Sequence, residues 1–277
     1  MTTYLAPSLT VRDRVFTWGA RTYVMGIVNV SPESFSGDGL SSAEAAVEQA
    51  KRFETEGADI IDVGGMSTRP NFQEISAAEE RERVVPAVRA IVEAVSLPVS
   101  VDTYRAEVAA ASLMAGAHMV NDITGFRRDP AMARTVAGYR VPAVVMHNQR
   151  GRHFTDVVAD ITAGFKESLA LADDAEVARD HLILDPGFGF GWSVPQNFEM
   201  LRRLGELKAL GLPLLVGTSR KSSIGAVLDL PEDQRLWGTA ASVAISIANG
   251  ADIVRVHDVT EMLQVVKIAD ACYRGLG

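Results

Sequence analysis

A chain of 277 residues whose 47% hydrophobic content runs from end to end, unbroken by a Pro/Ser-rich linker or a low-complexity tract, holds the material of one large core. A formal net charge of -8 argues against a nucleic-acid partner, which requires a basic face, so an anion bound here must be held by a few placed cations. The single cysteine, Cys272, excludes an intrachain disulfide and reads as a small apolar helix residue, and no apolar run reaches the ~20 residues of a membrane span.

Residues 1–14 contain no basic segment followed by an apolar run, and a cytoplasmic protein is expected. Stretches 11–17 and 21–24 flank Trp18-Gly19 and are expected to pair as a hairpin. From residue 25 onward, short β-rich apolar runs alternate eight times with longer runs whose apolar positions recur at three and four residues. The strand candidates are 25–30, 59–63, 98–102, 118–121, 143–146, 182–185, 214–217 and 253–256. The helical stretches include 42–56, 77–94, 105–115, 156–172, 195–210, 238–249 and 260–273. This is the pattern of βα units around a parallel sheet, either a closed barrel or an open doubly wound sheet. Closure is favoured, because no G-x-G-x-x-G follows the first strand and polar residues stand at the carboxyl end of nearly every strand. The expected architecture is a single-domain (β/α)8 TIM barrel over 1–277, with the N-terminal hairpin closing its floor.

In a barrel the strand ends converge on one mouth. In order they carry Asn29, Asp62 with Thr68-Arg69 just beyond, Asp102, Asn121-Asp122, His147, Asp185, Ser219-Arg220-Lys221, and Arg255 with His257. Asp102, Asn121, Asp185 and Lys221 suit a flat, guanidine-like heterocycle, the carboxylates accepting from its N–H groups and the ammonium donating to its carbonyl. Arg69, Arg255, His257 and the Asn29 amide suit an anion, since guanidinium forks match phosphate oxygens. A heterocycle bearing a phosphate ester satisfies both sets. Each residue also has a plainer reading. Asp62 reads as a structural hydrogen-bond partner, Asp122 as a cap of the following turn, His147 as a polar mouth residue and Arg220 as half of an ion pair on the barrel wall. Lys221 is open to Schiff-base chemistry, but it lacks a nearby relay tyrosine or second lysine, so a hydrogen-bonding role is expected. Asp185 and Lys221 could also simply pair with each other.

The run Met25-Gly26-Ile27-Val28-Asn29-Val30-Ser31-Pro32-Glu33-Ser34-Phe35-Ser36 resembles MGILNVTPDSFSDGG, the first signature of the dihydropteroate synthase family. Seven further matches follow in order: Asp62-Val63-Gly64-Gly65-Met66-Ser67-Thr68-Arg69-Pro70, Val99-Ser100-Val101-Asp102-Thr103, Val120-Asn121-Asp122, Val145-Met146-His147, Leu184-Asp185-Pro186-Gly187-Phe188-Gly189-Phe190-Gly191, Ser219-Arg220-Lys221-Ser222 and Arg255-Val256-His257-Asp258. The resemblance implies that Asp102, Asn121, Asp185 and Lys221 grip a pterin whose slot is shaped by Met146, Phe190 and Gly217, with Arg255 stacked over the ring. It implies a pyrophosphate seat of Asn29, Thr68, Arg69, Arg255 and His257, with Mg2+ held through Asn29. It implies a p-aminobenzoate site of Phe35, Thr68, Arg69, Pro70, Lys221 and the backbone at Ser222. Asn29, Asp38, Asp102, Lys221 and Arg255 would carry catalysis.

The implied reaction is pyrophosphate departure to a pterin-methyl cation, followed by amine attack, with the first loop excluding water. The resemblance further implies folate biosynthesis, sulfonamides as amine-site ligands, and a homodimer through 238–249 and 260–273. The chain departs from the family pattern at Glu33 and Gly37-Asp38, at Met66, where glutamate is usual, at Asn71, where glycine is usual, and at Trp192, where lysine is common and a rim position is expected. Two other readings are a pterin-binding paralogue without turnover and a pterin-dependent methyltransferase. The latter would need a corrinoid partner and no pyrophosphate seat, and Arg69 with His257 argues against it.

Overall fold

The computed structural model describes residues 7–30, 42–66 and 74–275. Two short strands, β1 (Ser8–Val11) and β2 (Arg14–Thr17), pair antiparallel with Val11 opposite Arg14. The hairpin expected between 11–17 and 21–24 is thereby corrected. The chain reverses earlier, at Arg12-Asp13, where Arg12 takes a left-handed φ of 55°, and residues 21–24 instead lead into the first barrel strand. Alternation explains the choice, because Leu9, Val11 and Phe16 then fall on one buried face. That face, with Trp18, packs on Tyr23, Met25, Ile60, Met119, Val144, Ile183, Leu215 and Ile253, which come from seven barrel strands. The hairpin therefore does close the floor. The Arg12 guanidinium straps it down by donating to the carbonyls of Val95 and Leu97 at 2.7 and 3.1 Å.

The barrel strands are β3 (Tyr23–Asn29), β4 (Ile60–Gly64), β5 (Val99–Asp102), β6 (Met119–Asp122), β7 (Ala143–Met146), β8 (Leu182–Asp185), β9 (Leu215–Val216) and β10 (Ile253–Val256). They are parallel in the order β8-β7-β6-β5-β4-β3-β10-β9. A parallel bridge between Leu184 and Leu214, with Leu184 N donating to Pro213 O at 2.9 Å, joins the two ends. Strands covered on both faces must be apolar on both, which is why they read as Val/Ile/Leu runs. Their outward residues, among them Val24, Val28, Ile61, Val63, Val99 and Val101, are fully buried against Phe53, Val84, Val88 and Ile91 of the surrounding helices.

Those helices are α1 (Ser42–Glu56), α2 (Ala77–Ala94), α3 (Ala106–Met114), α4 (Met132–Tyr139), α5 (Val157–Asp174), α6 (Val194–Arg202), α7 (Ser222–Leu228), α8 (Leu236–Ala248) and α9 (Val259–Tyr273). Ser76 caps α2 by accepting from Glu79 N, and Asp156 caps α5 by accepting from Ala159 N at 2.9 Å. The single helix expected over 195–210 is two pieces. α6 ends at Arg202 and a 3-10 segment, Leu204–Leu210, follows, with Gly205 at the joint and the Arg203 guanidinium tied to Asp156, Glu199 and Glu206. Helices α4 and α7 are too short for periodicity to register.

Candidate active site

A side chain pointing into the barrel from the last residues of a strand lies at the mouth. Asn29, Asp102, Met146 and Asp185 end their strands, Gly217 follows β9 directly, and Asn121 and Arg255 stand one position before their strand ends. At the centre is Arg255. Its Nε donates to Asp62 Oδ2 at 2.6 Å and its Nη2 to Asp102 Oδ2 at 2.7 Å. The same Asp62 oxygen accepts from Asn121 Nδ2 at 2.9 Å, while Asp62 Oδ1, fully buried, has no partner among the described residues. Asp62 is thus the structural partner expected. Its effect is to turn the Asn121 amide so that the carbonyl oxygen, an acceptor, is left for a ligand. Gly217 stands beside this group, where an added Cβ would lie 3.8 Å from Arg255 Cβ, an ordinary van der Waals contact.

Burial shapes the charges here. It pushes the Asp102 carboxyl up to about 7, with Arg255 pulling it back and Asp62 and Glu80 adding repulsion. It pushes Asp185 up to about 6, against the pull of the Gly187 N–H, Lys221 and Arg255. The Lys221 ammonium is pushed down to about 8 by burial, with Asp185 opposing the shift and Arg255 reinforcing it. Burial alone would lower Arg255, but the facing Asp62 and Asp102 reverse the sign and raise it, so its charge persists. Asp102, Asp185, Lys221 and Arg255 therefore sense one another across one chamber. Asp185 and Lys221 do not form a direct ion pair among the described residues. Asp185 Oδ1 instead accepts from Gly187 N at 2.8 Å, and the Lys221 ammonium lies 4.2 Å from the centre of the Phe190 ring.

The apolar wall of the chamber is Tyr104, Ile123, Met146 and Phe190, with Met66 packed against it. Phe190 arrives on a loop whose Gly187, Gly189 and Gly191 all have φ near +80°, a conformation open to glycine. At Gly187 and Gly191 a Cβ would also strike the backbone of the neighbouring 147–150 segment, so the signature's glycines are needed for close approach. Lys221 is aimed by the turn before it. Arg220 sits at φ 56°, its carbonyl accepts from Arg235 Nη1 at 3.0 Å, and its guanidinium pairs with Asp258 on the barrel wall, as expected. A non-glycine residue in this region stores of order 1–3 kcal/mol of strain. His257 Nδ1 lies 3.0 Å from Ser219 Oγ, which sets the imidazole beside the Lys221 turn, and Ser222 opens α7 there.

Three other mouth-sequence residues do not join the chamber. Asp122 accepts from Thr124 N, Thr124 Oγ1 and Phe126 N, which makes it the turn cap. His147 is buried behind the wall, bonded to Gln149 and flanked by Phe165 and Trp192, and burial pushes it down to about 4. Trp192 is not the rim residue expected. It is 8% exposed and wedged between His147 and Phe154, because the Gly191 turn directs it into the layer outside the strands. Glu33, Phe35, Asp38, Thr68, Arg69, Pro70 and Asn71 lie outside the described residues. Sequence reasoning overlooked Tyr104 and Arg150. The first follows Asp102 by two residues, and the second, exposed on the loop after β7, places its Cζ 4.8 Å from the Phe190 ring centre.

A family model described as pterin binding enzyme matches residues 25–257. The dihydropteroate synthase of a Synechocystis species is 46% identical over 280 residues, covering 98% of this chain and 97% of its own. The Clostridium difficile dihydropteroate synthase, solved in the presence of pteroic acid, superposes with a TM-score of 0.90 at 46% identity, covering 93% of this chain and 98% of that one. The Xanthomonas albilineans dihydropteroate synthase with 4-aminobenzoic acid superposes with a TM-score of 0.92 at 39% identity, covering 98% and 100%. With this agreement along its length, the chain belongs to the dihydropteroate synthase family of pterin-binding enzymes.

Proposed function

We propose that this chain condenses 6-hydroxymethyl-7,8-dihydropterin pyrophosphate with p-aminobenzoate, giving 7,8-dihydropteroate and pyrophosphate in folate biosynthesis. The observation that carries the reading is the position of Arg255. Its guanidinium is anchored through Nε and Nη2 by two carboxylates beside the Asn121 amide, which fixes one cation at the mouth where an anion and a ring would meet. A pterin ring offers its amine and ring N–H donors to Asp185 and to the Asn121 carbonyl oxygen, and its carbonyl to the Lys221 ammonium. Met146, Phe190 and Tyr104 line the flat faces.

The C–O bond to pyrophosphate breaks first. The electron pair leaves with the oxygen, toward Arg255, His257 and Asn29, and the methylene cation left behind is delocalised into the ring. The arylamine nitrogen then forms the C–N bond with its lone pair and sheds its proton. An aromatic amine is unprotonated near neutral pH, so it needs positioning more than a base, and no nucleophile-base triad is required. Phe35, Thr68, Arg69, Pro70 and Ser222 are proposed to hold the amine, with Thr68 and Arg69 also reaching the pyrophosphate, and Asp38 to act on the closing first loop.

No group of three His, Cys, Asp or Glu side chains suited to a metal occurs among the described residues. The Asn29 amide oxygen, at the mouth end of β3, is a hard donor of the kind Mg2+ takes and would hold the ion there. When bound, Mg2+ supplies neutralisation of the leaving pyrophosphate. A homodimer is proposed from the exposed Trp237 and Ile245 of α8 and Ile268 and Tyr273 of α9, which sedimentation measures. No helix among the described residues is long and apolar enough to cross a membrane, in line with a proposed cytoplasmic location. Sulfonamides are proposed to occupy the p-aminobenzoate site.

The test combines purified chain, Mg2+, the pterin pyrophosphate and p-aminobenzoate, and assays dihydropteroate and free pyrophosphate together. Equimolar appearance of both is expected. Tight pterin binding with neither product would instead identify a paralogue that has lost turnover.

A further inference from the structure

Tyr104 is a buried member of the apolar cluster that walls the chamber, together with Ile123, Met146 and Phe190. Its hydroxyl reaches out of the wall and donates to Glu74 Oε1, and the Met66 sulfur lies 4.0 Å from the same hydroxyl oxygen. Glu74 is itself held on two sides. Arg128 Nη2 donates to both carboxylate oxygens at 2.8 and 3.0 Å, and Arg105 Nη2 donates at 3.0 Å. Both guanidiniums also cover the Tyr104 ring, with Cζ 4.4 Å from its centre for Arg128 and 5.0 Å for Arg105. Arg105 is fixed in turn by the fully buried Glu80. The hydrogen bond to Tyr104 is the largest of the influences that hold the Glu74 carboxyl below its usual range.

This arrangement bears on one of the departures from the family signature, which carries glutamate where this chain has Met66. Glutamate and methionine side chains extend by similar lengths, so a glutamate at 66 would bring its carboxylate to the hydroxyl that the Met66 sulfur now approaches. In this chain Glu74 already accepts from that hydroxyl.

We propose that Glu74 is a positioning residue for the pterin slot: it holds the Tyr104 ring in the slot wall, supplying from position 74 the carboxylate that the family signature carries at position 66. Tyr104 stands two residues from Asp102, so a ring free to rotate would widen the slot beside the carboxylate that grips the pterin. The proposal rests on the pterin-binding reading above.

The test is titration of the pterin pyrophosphate into the full chain without amine, followed by steady-state kinetics. Glu74→Gln is expected to weaken pterin binding, and to raise the KM for the pterin substrate, by about tenfold, with kcat and the KM for p-aminobenzoate changing less than about threefold. Tyr104→Phe, which keeps the ring and removes the hydroxyl, should give the same shift, and the double variant should be no worse than either single one. Adding Met66→Glu to Glu74→Gln should restore pterin binding to within about threefold of the parent chain. Unchanged pterin affinity in a folded Glu74→Gln, or a Met66→Glu/Glu74→Gln variant no better than Glu74→Gln alone, overturns the proposal. If the parent chain binds pterin but makes no dihydropteroate, the synthase reading fails while the titrations still decide the role of Glu74.

Discussion

Arg255 on β10 and Asp102 on β5 meet at 2.7 Å although β3 and β4 stand between their strands in the sheet. Such a contact crosses the mouth of a closed barrel. It gives Arg255 a fixed orientation before any ligand arrives, with Asp62 as the second anchor. Preorganised charge of this kind is what stabilises a departing anion without reorganisation during the reaction.

Removing the second anchor has a direct consequence. Asp62→Ala leaves the Arg255 guanidinium short of a buried partner and releases the Asn121 amide, and breaking such a pair costs about 3–5 kcal/mol. Urea denaturation should register a loss on that scale, together with a raised KM for the pterin substrate. A variant of unchanged stability would show that the pair carries no weight in the fold.

Lys221, its ammonium 4.2 Å from the Phe190 ring centre, is the proposed donor to the ring carbonyl. Lys221→Ala is expected to lower kcat/KM by about a hundredfold or more while the circular dichroism spectrum is retained, the scale typical of losing one preorganised donor. Retention of near full rate would remove Lys221 from the mechanism.

The pH dependence follows from the three shifted groups. The proposed mechanism needs Asp185 and Asp102 ionised and Lys221 protonated, so kcat/KM should rise through the Asp185 and Asp102 range, about 6 to 7, and fall above the Lys221 value of about 8. Stability without ligand should run the other way on the acid side. The folded chain holds the Asp185 proton to about 6 rather than 3.8, so the stability this group contributes is full below 3.8 and is lost as pH rises through about 6. Pterin binding should remove that loss, which melting curves with and without the ligand between pH 4 and 8 would reveal.

Trp192 separates packing from chemistry. Trp192→Ala empties a buried site between His147 and Phe154 and should cost about 3–5 kcal/mol in denaturation experiments while leaving both KM values within about threefold. A change confined to KM, with stability intact, would return it to the rim.

The eight-fold alternation of strands and helices was legible because each barrel strand is a short apolar run broken mainly by polar residues near its mouth end, and each long helix is apolar on one face. The two errors of local structure have local causes. The reversal at Arg12-Asp13 lacks the Asn-Gly or Asp-Gly pair that marks tight hairpins, and Trp18-Gly19 offered a more conspicuous break. The joint at Arg203 lies inside a continuous helical periodicity, interrupted only by Gly205.

Residue types at strand ends were enough to collect Asn29, Asp102, Asn121, Asp185, Lys221, Arg255 and His257 at one mouth, since a parallel barrel brings all its carboxyl ends together. Their partners were decided only in three dimensions. That Arg255 pairs with both Asp62 and Asp102, that Lys221 rests on Phe190 rather than on Asp185, and that Tyr104 is tied to Glu74 all join residues far apart in the chain. Periodicity and composition report which face of an element is buried. Which side chain meets which across the mouth depends on barrel closure, register and rotamer, and these are set by the packing of the whole chain.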